Sequence, residues 1–81
     1  MTNDEAKQLL ASILHVIAPE IDLDLADNDA DLRDELDLDS VDFLNLVEAI
    51  YERTGINIPE ADYSKLSSVN ACIAYLIAKN L

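Results

Sequence analysis

One glycine, Gly55, and two prolines, Pro19 and Pro59, are the only strong backbone breakers in 81 residues. That scarcity constrains the fold more than any other feature, because only Gly and Pro carry steep penalties inside a helix. Thr2 and Glu5 have capping-box spacing, and Ala6, Leu9, Leu10, Ile13, Leu14 and Ile17 follow at three- and four-residue steps. This pattern predicts an amphipathic first helix. Pro19 ends it, since the residue before a proline is pushed out of the helical region. Asp39-Ser40 opens a second helix to about Thr54, with Gly55 as a left-handed stop and Phe43, Leu46, Val47 and Ile50 towards the core. Ile56 and Ile58 lead into Pro59, and Glu60 to Leu66 suggests a short helix. Ser67 or Ser68 caps a last helix to about Asn80, with Val69, Cys72, Ile73 and Leu76 on one face. The expected fold is all-α: a single domain over residues 1–81, built as a small antiparallel four-helix bundle of three longer helices and one short one.

The segment between Pro19 and Leu38 reads differently. Ile21, Leu23, Leu25, Leu36 and Leu38 alternate with aspartates as in a half-buried strand. No second strand of convincing length is present to pair with it, and Asp and Asn favour turns. We read a long ordered loop anchored by its leucines, with one helical turn near Asp31 to Leu36. A connection this long in a compact domain is more often functional than idle.

Charge narrows the function. Seventeen acidic residues stand against five basic ones, a formal net charge of −12. Lys7, Arg33, Arg53, Lys65 and Lys79 are scattered, which argues against nucleic acid and against an anionic membrane surface, both of which need clustered cations. Partners are expected to present positive surface. No apolar run approaches the ~20 residues of a membrane span, and the start lacks the basic flank and apolar run of a signal peptide. A lone cysteine forms no internal disulfide. A cytoplasmic monomer is expected.

Few residues invite chemistry. His15 is the only imidazole and has no partner ligand near it in sequence; it reads as a surface or boundary side chain. Cys72 falls on a core face, where a free cysteine acts as a small buried hydrophobe. An EF-hand frame started at Asp27 puts Asp29 and Asp31 at positions 3 and 5 but fails, because Leu32 replaces the glycine and Leu38 the glutamate. No metal site is expected, nor a Gly-rich phosphate loop. Ser40 remains: a hydroxyl at the mouth of a helix, flanked by Asp39 and Asp42. Taken alone, such a serine is most often a helix cap contributing about 0.5 to 2 kcal/mol.

The run Leu36-Asp37-Leu38-Asp39-Ser40-Val41-Asp42 resembles the attachment motif of acyl carrier proteins, Asp-Ser-Leu with an acid soon after. Leu46-Val47, Ala49-Ile50, Ile58-Pro59, Lys65 and Val69 extend the similarity over nearly the whole chain. The resemblance implies a carrier, not an enzyme, with phosphopantetheine transferred from coenzyme A to Ser40 by a phosphopantetheinyl transferase. Asp39, Val41 and Asp42 would present the site. Asp42, Leu44, Asn45, Glu48 and Glu52 would meet basic docking patches on the transferase and on acyl-processing enzymes. By analogy with the family, Phe43, Leu46, Ile50, Ile58, Tyr63, Leu66 and Cys72 would line an acyl pocket, with bulky Phe43 limiting long chains.

Leu38, Val41, Asn45 and Tyr51 depart from residues usual in the family's general fatty-acid members. They point to a specialised carrier in a dedicated acyl, polyketide or lipid-modification pathway. Two other readings stand beside this one. The same fold could carry an amino acid, as peptidyl and D-alanyl carriers do, or the chain could be an unmodified acidic adaptor in which Ser40 is only a cap.

Overall fold

The computed structural model describes residues 1–80. Helix α1 spans Asn3–Ile17, α2 Leu32–Glu35, α3 Ser40–Thr54 and α4 Val69–Lys79, with a 3-10 helix over Glu60–Leu66 between the last two. Helix α1 packs against both α3 and α4, and the 3-10 helix packs on α4. The all-helical bundle expected from the sparse breakers is therefore present, with one refinement. Glu60–Leu66 winds as a 3-10 helix; its opening residue Pro59 supplies no side-chain cap, and the tighter helix is a common short connector.

Local sequence explains each boundary. Thr2 Oγ1 accepts from the Glu5 N–H at 3.1 Å, and the Glu5 carboxylate accepts from the Thr2 N–H at 2.9 Å. This reciprocal pair satisfies two donors that the helix leaves open and holds the Glu5 carboxyl below its ordinary pKa. Gly55 closes α3 at φ 75°, a left-handed conformation that glycine adopts without a Cβ penalty. Ser68, of the two candidate serines, caps α4 through a 3.0 Å bond from the Ala71 N–H.

The core is one cluster drawn from every element. Leu10, Ile13 and Leu14 of α1 meet Leu46 and Ile50 of α3, Leu66 of the 3-10 helix, and Cys72 and Leu76 of α4. Arg53 donates to Ser12 Oγ at 2.7 Å, joining α3 to α1 across the surface.

The long connection before α3 is ordered by its aspartates as much as by its leucines. Asp22, Asp27 and Asp31 each accept from a backbone N–H two residues on, at 2.9, 3.0 and 2.9 Å, so each builds its own turn. Leu23, Leu32, Leu36 and Leu38 are buried. Leu25 corrects the expectation that all the leucines anchor the loop: it is 85% exposed, because a turn over Asp22 to Ala26 rotates it away from the core. The connection is also stitched to the start of α4. The Leu32 N–H donates to the Ser67 carbonyl at 2.7 Å, and the Asn70 N–H to the Asn28 carbonyl at 3.0 Å. The Asn70 side-chain amide adds a 2.6 Å bond to Asp29. Among the described residues no helix is long and apolar enough to cross a membrane.

Candidate cofactor-attachment site

Ser40 is the first helical residue of α3, and the cap belongs to its neighbour. Asp39 has extended backbone and accepts from the Asp42 N–H at 2.8 Å. The reading of Ser40 as a cap is thereby corrected: a carboxylate occupies that role, where its charge also favours the positive end of the helix dipole. The Ser40 side chain is exposed and makes no hydrogen bond among the described residues. Just upstream, Asp37 takes φ 54°, which turns the chain sharply from α2 into α3. Non-glycine residues rarely adopt this conformation, although Asp tolerates it better than most.

The outward side of α3 is mixed. Val41 and Leu44 are 64% and 47% exposed; Asn45, Glu48 and Glu52 are exposed and Asp42 is half-buried. Positions 41, 44, 45, 48 and 52 form one stripe at helical spacing. Apolar and acidic groups thus alternate down a surface that begins beside Ser40. Asp42, Asn45, Ala49 and Glu52 also border a shallow groove against Ile13, Val16 and Ile17 of α1.

The residues expected around an acyl pocket separate into two sets. Phe43, Tyr63 and Leu66 share a cleft of about 360 Å³ with Leu32 and Arg33 of α2. The Phe43 and Tyr63 rings meet edge to face, 5.4 Å between centroids at 73°, and the Arg33 guanidinium lies 5.2 Å from the Phe43 centroid. Leu46, Ile50, Ile58 and Cys72 instead sit in the closed core. The Cys72 thiol is pushed up to about 12 by burial, so it stays protonated at neutral pH, and among the described residues it donates to the Leu66 carbonyl, at 3.8 Å. His15 is exposed.

Two features escaped the sequence reading. Arg33 gave no signal there beyond its charge, because its partner Phe43 is ten positions away. Tyr75 is buried on α4 and donates to Asp62 at 2.7 Å. Burial first, then this bond and the Asp62 charge, push its phenol up to about 12. Asp62 is correspondingly held below its ordinary value, chiefly by the Tyr75 hydroxyl and further by Lys65, whose ammonium lies 3.3 Å away.

A family model described as "Phosphopantetheine attachment site" matches residues 4–76. The chain belongs to that family. It is similar to the acyl carrier protein of Chloroherpeton thalassium, 32% identical over 79 residues that cover 98% of each chain. It is likewise similar to the acyl carrier protein of Buchnera aphidicola, 34% identical over 74 residues covering 91% of this chain and 87% of the relative. A third relative, the acyl carrier protein of Lactobacillus johnsonii, is 36% identical over 56 residues, covering 69% of this chain and 70% of its own. The prosthetic group of this acyl carrier family is phosphopantetheine, joined covalently.

Proposed function

We propose that the protein carries acyl groups as thioesters on a phosphopantetheine arm joined to Ser40 Oγ. The observation that carries this reading is a free, exposed hydroxyl at the first turn of α3, next to a cap that does not need it. The residues fit the group. A phosphodiester at position 40 lies at the positive end of the α3 dipole, beside N–H groups that Asp39 leaves open. When bound, the arm supplies a thiol that holds the acyl group as a thioester; binding and orientation are left to the protein.

Loading is the work of another enzyme. The oxygen of Ser40 displaces 3′,5′-ADP from the phosphorus of coenzyme A and loses its proton to that enzyme, so no base is required here. The stripe of Val41, Leu44, Asn45, Glu48 and Glu52 supports docking of basic-surfaced partners: its acids steer encounter, and its exposed apolar side chains give contact area. Charge steering of this kind weakens with salt, the screening length being ~10 Å at 0.1 M. Leu38, Val41, Asn45 and Tyr51 support a specialised acyl, polyketide or lipid-modification pathway over general fatty-acid synthesis.

Incubation with coenzyme A and a broad-specificity phosphopantetheinyl transferase tests the attachment. Intact mass is expected to rise by one phosphopantetheine in the wild-type chain and to stay unchanged in Ser40→Ala. An unmodified wild-type chain, or equal modification of the variant, refutes Ser40 as the site.

A further inference from the structure

The two most exposed large apolar side chains among the described residues both lie off the α3 stripe: Val16 on α1 is 74% exposed and Leu25 in the first connection 85%. A single exposed apolar residue is ordinary. These two, however, border neighbouring grooves that share a wall. The first groove, of about 900 Å³, runs along the outward face of α1, where Asp4, Gln8, Ala11, Ser12, His15 and Val16 follow at helical spacing opposite the buried Ala6, Leu10, Ile13 and Leu14. The second, of about 390 Å³, places Leu25 and Ala26 with Leu36 and Asp37, just upstream of Ser40. Glu20, Ile21 and Asp22 line both grooves. Val16 also borders the shallow groove against α3, so this face joins the α3 stripe at one edge. Its charge is one-sided. The carboxylates of Asp4, Glu20, Asp22, Asp24, Glu35 and Asp37 border the two grooves against one ammonium, Lys7, which Asp24 already holds at 3.2 Å. Asp22 and Glu35 accept from the backbone N–H groups of Asp24 and Asp27; Asp4, Glu20 and Asp37 make no ion pair among the described residues.

We propose that this face is a docking surface for a partner helix that carries apolar side chains on one side with lysines or arginines beside them. Exposed apolar side chains inside an acidic rim match such a helix in both respects: Val16, Ile21 and Leu25 offer contact area, and the carboxylates around them select its charge. From Asp4 to Val16 the α1 face runs roughly 18 Å at 1.5 Å per residue, enough for about three turns of a helix laid alongside it. Charge argues against the other occupants. A second copy of this chain brings another −12 and is repelled, as are nucleic acid and an anionic membrane. A free cation has no use for Val16 and Leu25. The surface is made by α1 and the first connection, so the proposal does not depend on what Ser40 carries.

The test uses the full chain as Ser40→Ala, so that attachment at Ser40 plays no part, and a short amphipathic helical peptide of leucine and lysine as the probe. The amide signals of Val16, Ile21 and Leu25 are expected to shift as the peptide is added. Val16→Ser combined with Leu25→Ser should weaken binding about tenfold without changing the melting temperature, because both side chains already face water. Val41→Ser combined with Leu44→Ser, on the α3 stripe, should weaken it less. A peptide with glutamate in place of lysine should not bind. Failure of the leucine-lysine peptide to bind, shifts confined to α3, or an affinity that survives the loss of Val16 and Leu25 each overturns the proposal. Equal binding of the glutamate peptide does the same. A loss from the Val41 and Leu44 pair as large as that from Val16 and Leu25 assigns the peptide to the α3 stripe and likewise overturns it. None of these outcomes bears on the loading of Ser40, which intact mass reads separately.

Discussion

The two connections that flank α3 join similar elements by different physics. The first, residues 18–39, holds ten acidic residues against one base, Arg33, and builds its turns from aspartate side chains. The second, residues 55–68, holds Glu60 and Asp62 against Lys65, and is held by Ile56, Ile58 and Leu66 in the core. One is folded against its own repulsion; the other is held mainly by packing. The contrast locates most of the acidic charge of this protein in the segment that leads into Ser40.

Packing should give the largest effect in both connections. Leu66 and Leu32 are 1% and 2% exposed, so truncation of either to Ala is expected to cost about 2 to 5 kcal/mol. In denaturant melts, equal losses would mean the acidic connection is as tightly integrated as the packed one. A Leu32→Ala loss below about 1 kcal/mol would instead show that the acidic connection is loosely attached, and would break the claim that buried leucines hold it.

Solution conditions should then separate the two. Added salt is expected to raise the melting temperature by relieving repulsion in the acidic connection. Neutralising exposed Glu20, Asp34 and Asp37 to Gln and Asn should raise it at low salt by several degrees, roughly the equivalent of 1 kcal/mol in a domain of this size, and flatten the salt dependence. A melting temperature indifferent to both would refute crowding as a cost. The packed connection should respond to pH through Tyr75 and Asp62. The phenol is raised in the folded state, so its contribution is complete below the ordinary tyrosine pKa of ~10 and is lost as pH rises through about 12. The Asp62 carboxyl is lowered, so its contribution is complete above the ordinary carboxylate value and is lost as pH falls through the folded one. Tyr75→Phe should flatten both limbs; a pH profile identical to wild type would refute the coupling.

The smallest effects concern the two left-handed residues, one in each connection. Gly55→Ala should cost about 1 kcal/mol from backbone strain alone, since a Cβ at that position meets no atom within 4 Å. Asp37→Gly should gain roughly 0.5 kcal/mol, by relieving strain and removing one repelling charge. Thermal melts giving the opposite sign at position 37 would show that the carboxylate contributes there in a way its φ of 54° does not reveal.

The sequence was most legible where one rule acted alone. The Thr2–Glu5 capping box, the Gly55 stop and the apolar stripes of α1, α3 and α4 all follow from local spacing, and the structure reproduces them. The single turn at Leu32–Glu35 was readable for the same reason. Legibility failed where neighbours compete or where contacts cross the chain. Asp39 and Ser40 are both good caps, and spacing could not say that the aspartate takes the role. Leu25 looked like Leu23 until the turn between them set their directions. The Arg33–Phe43 stack, the Asn70 bonds to the first connection and the Tyr75–Asp62 pair depend on which elements meet, and no local pattern encodes that. Ser40 was marked by its motif, whereas its free hydroxyl is a fact of three dimensions.

Delegating the cap to Asp39 has a lasting consequence for a shuttle. Under the proposed attachment, a group joined to the oxygen of residue 40 leaves the Asp39 bond that starts α3 in place, so loading does not require the cap to be rebuilt. On the proposed attachment, a partner that grips α3 would find the same helix start before and after loading.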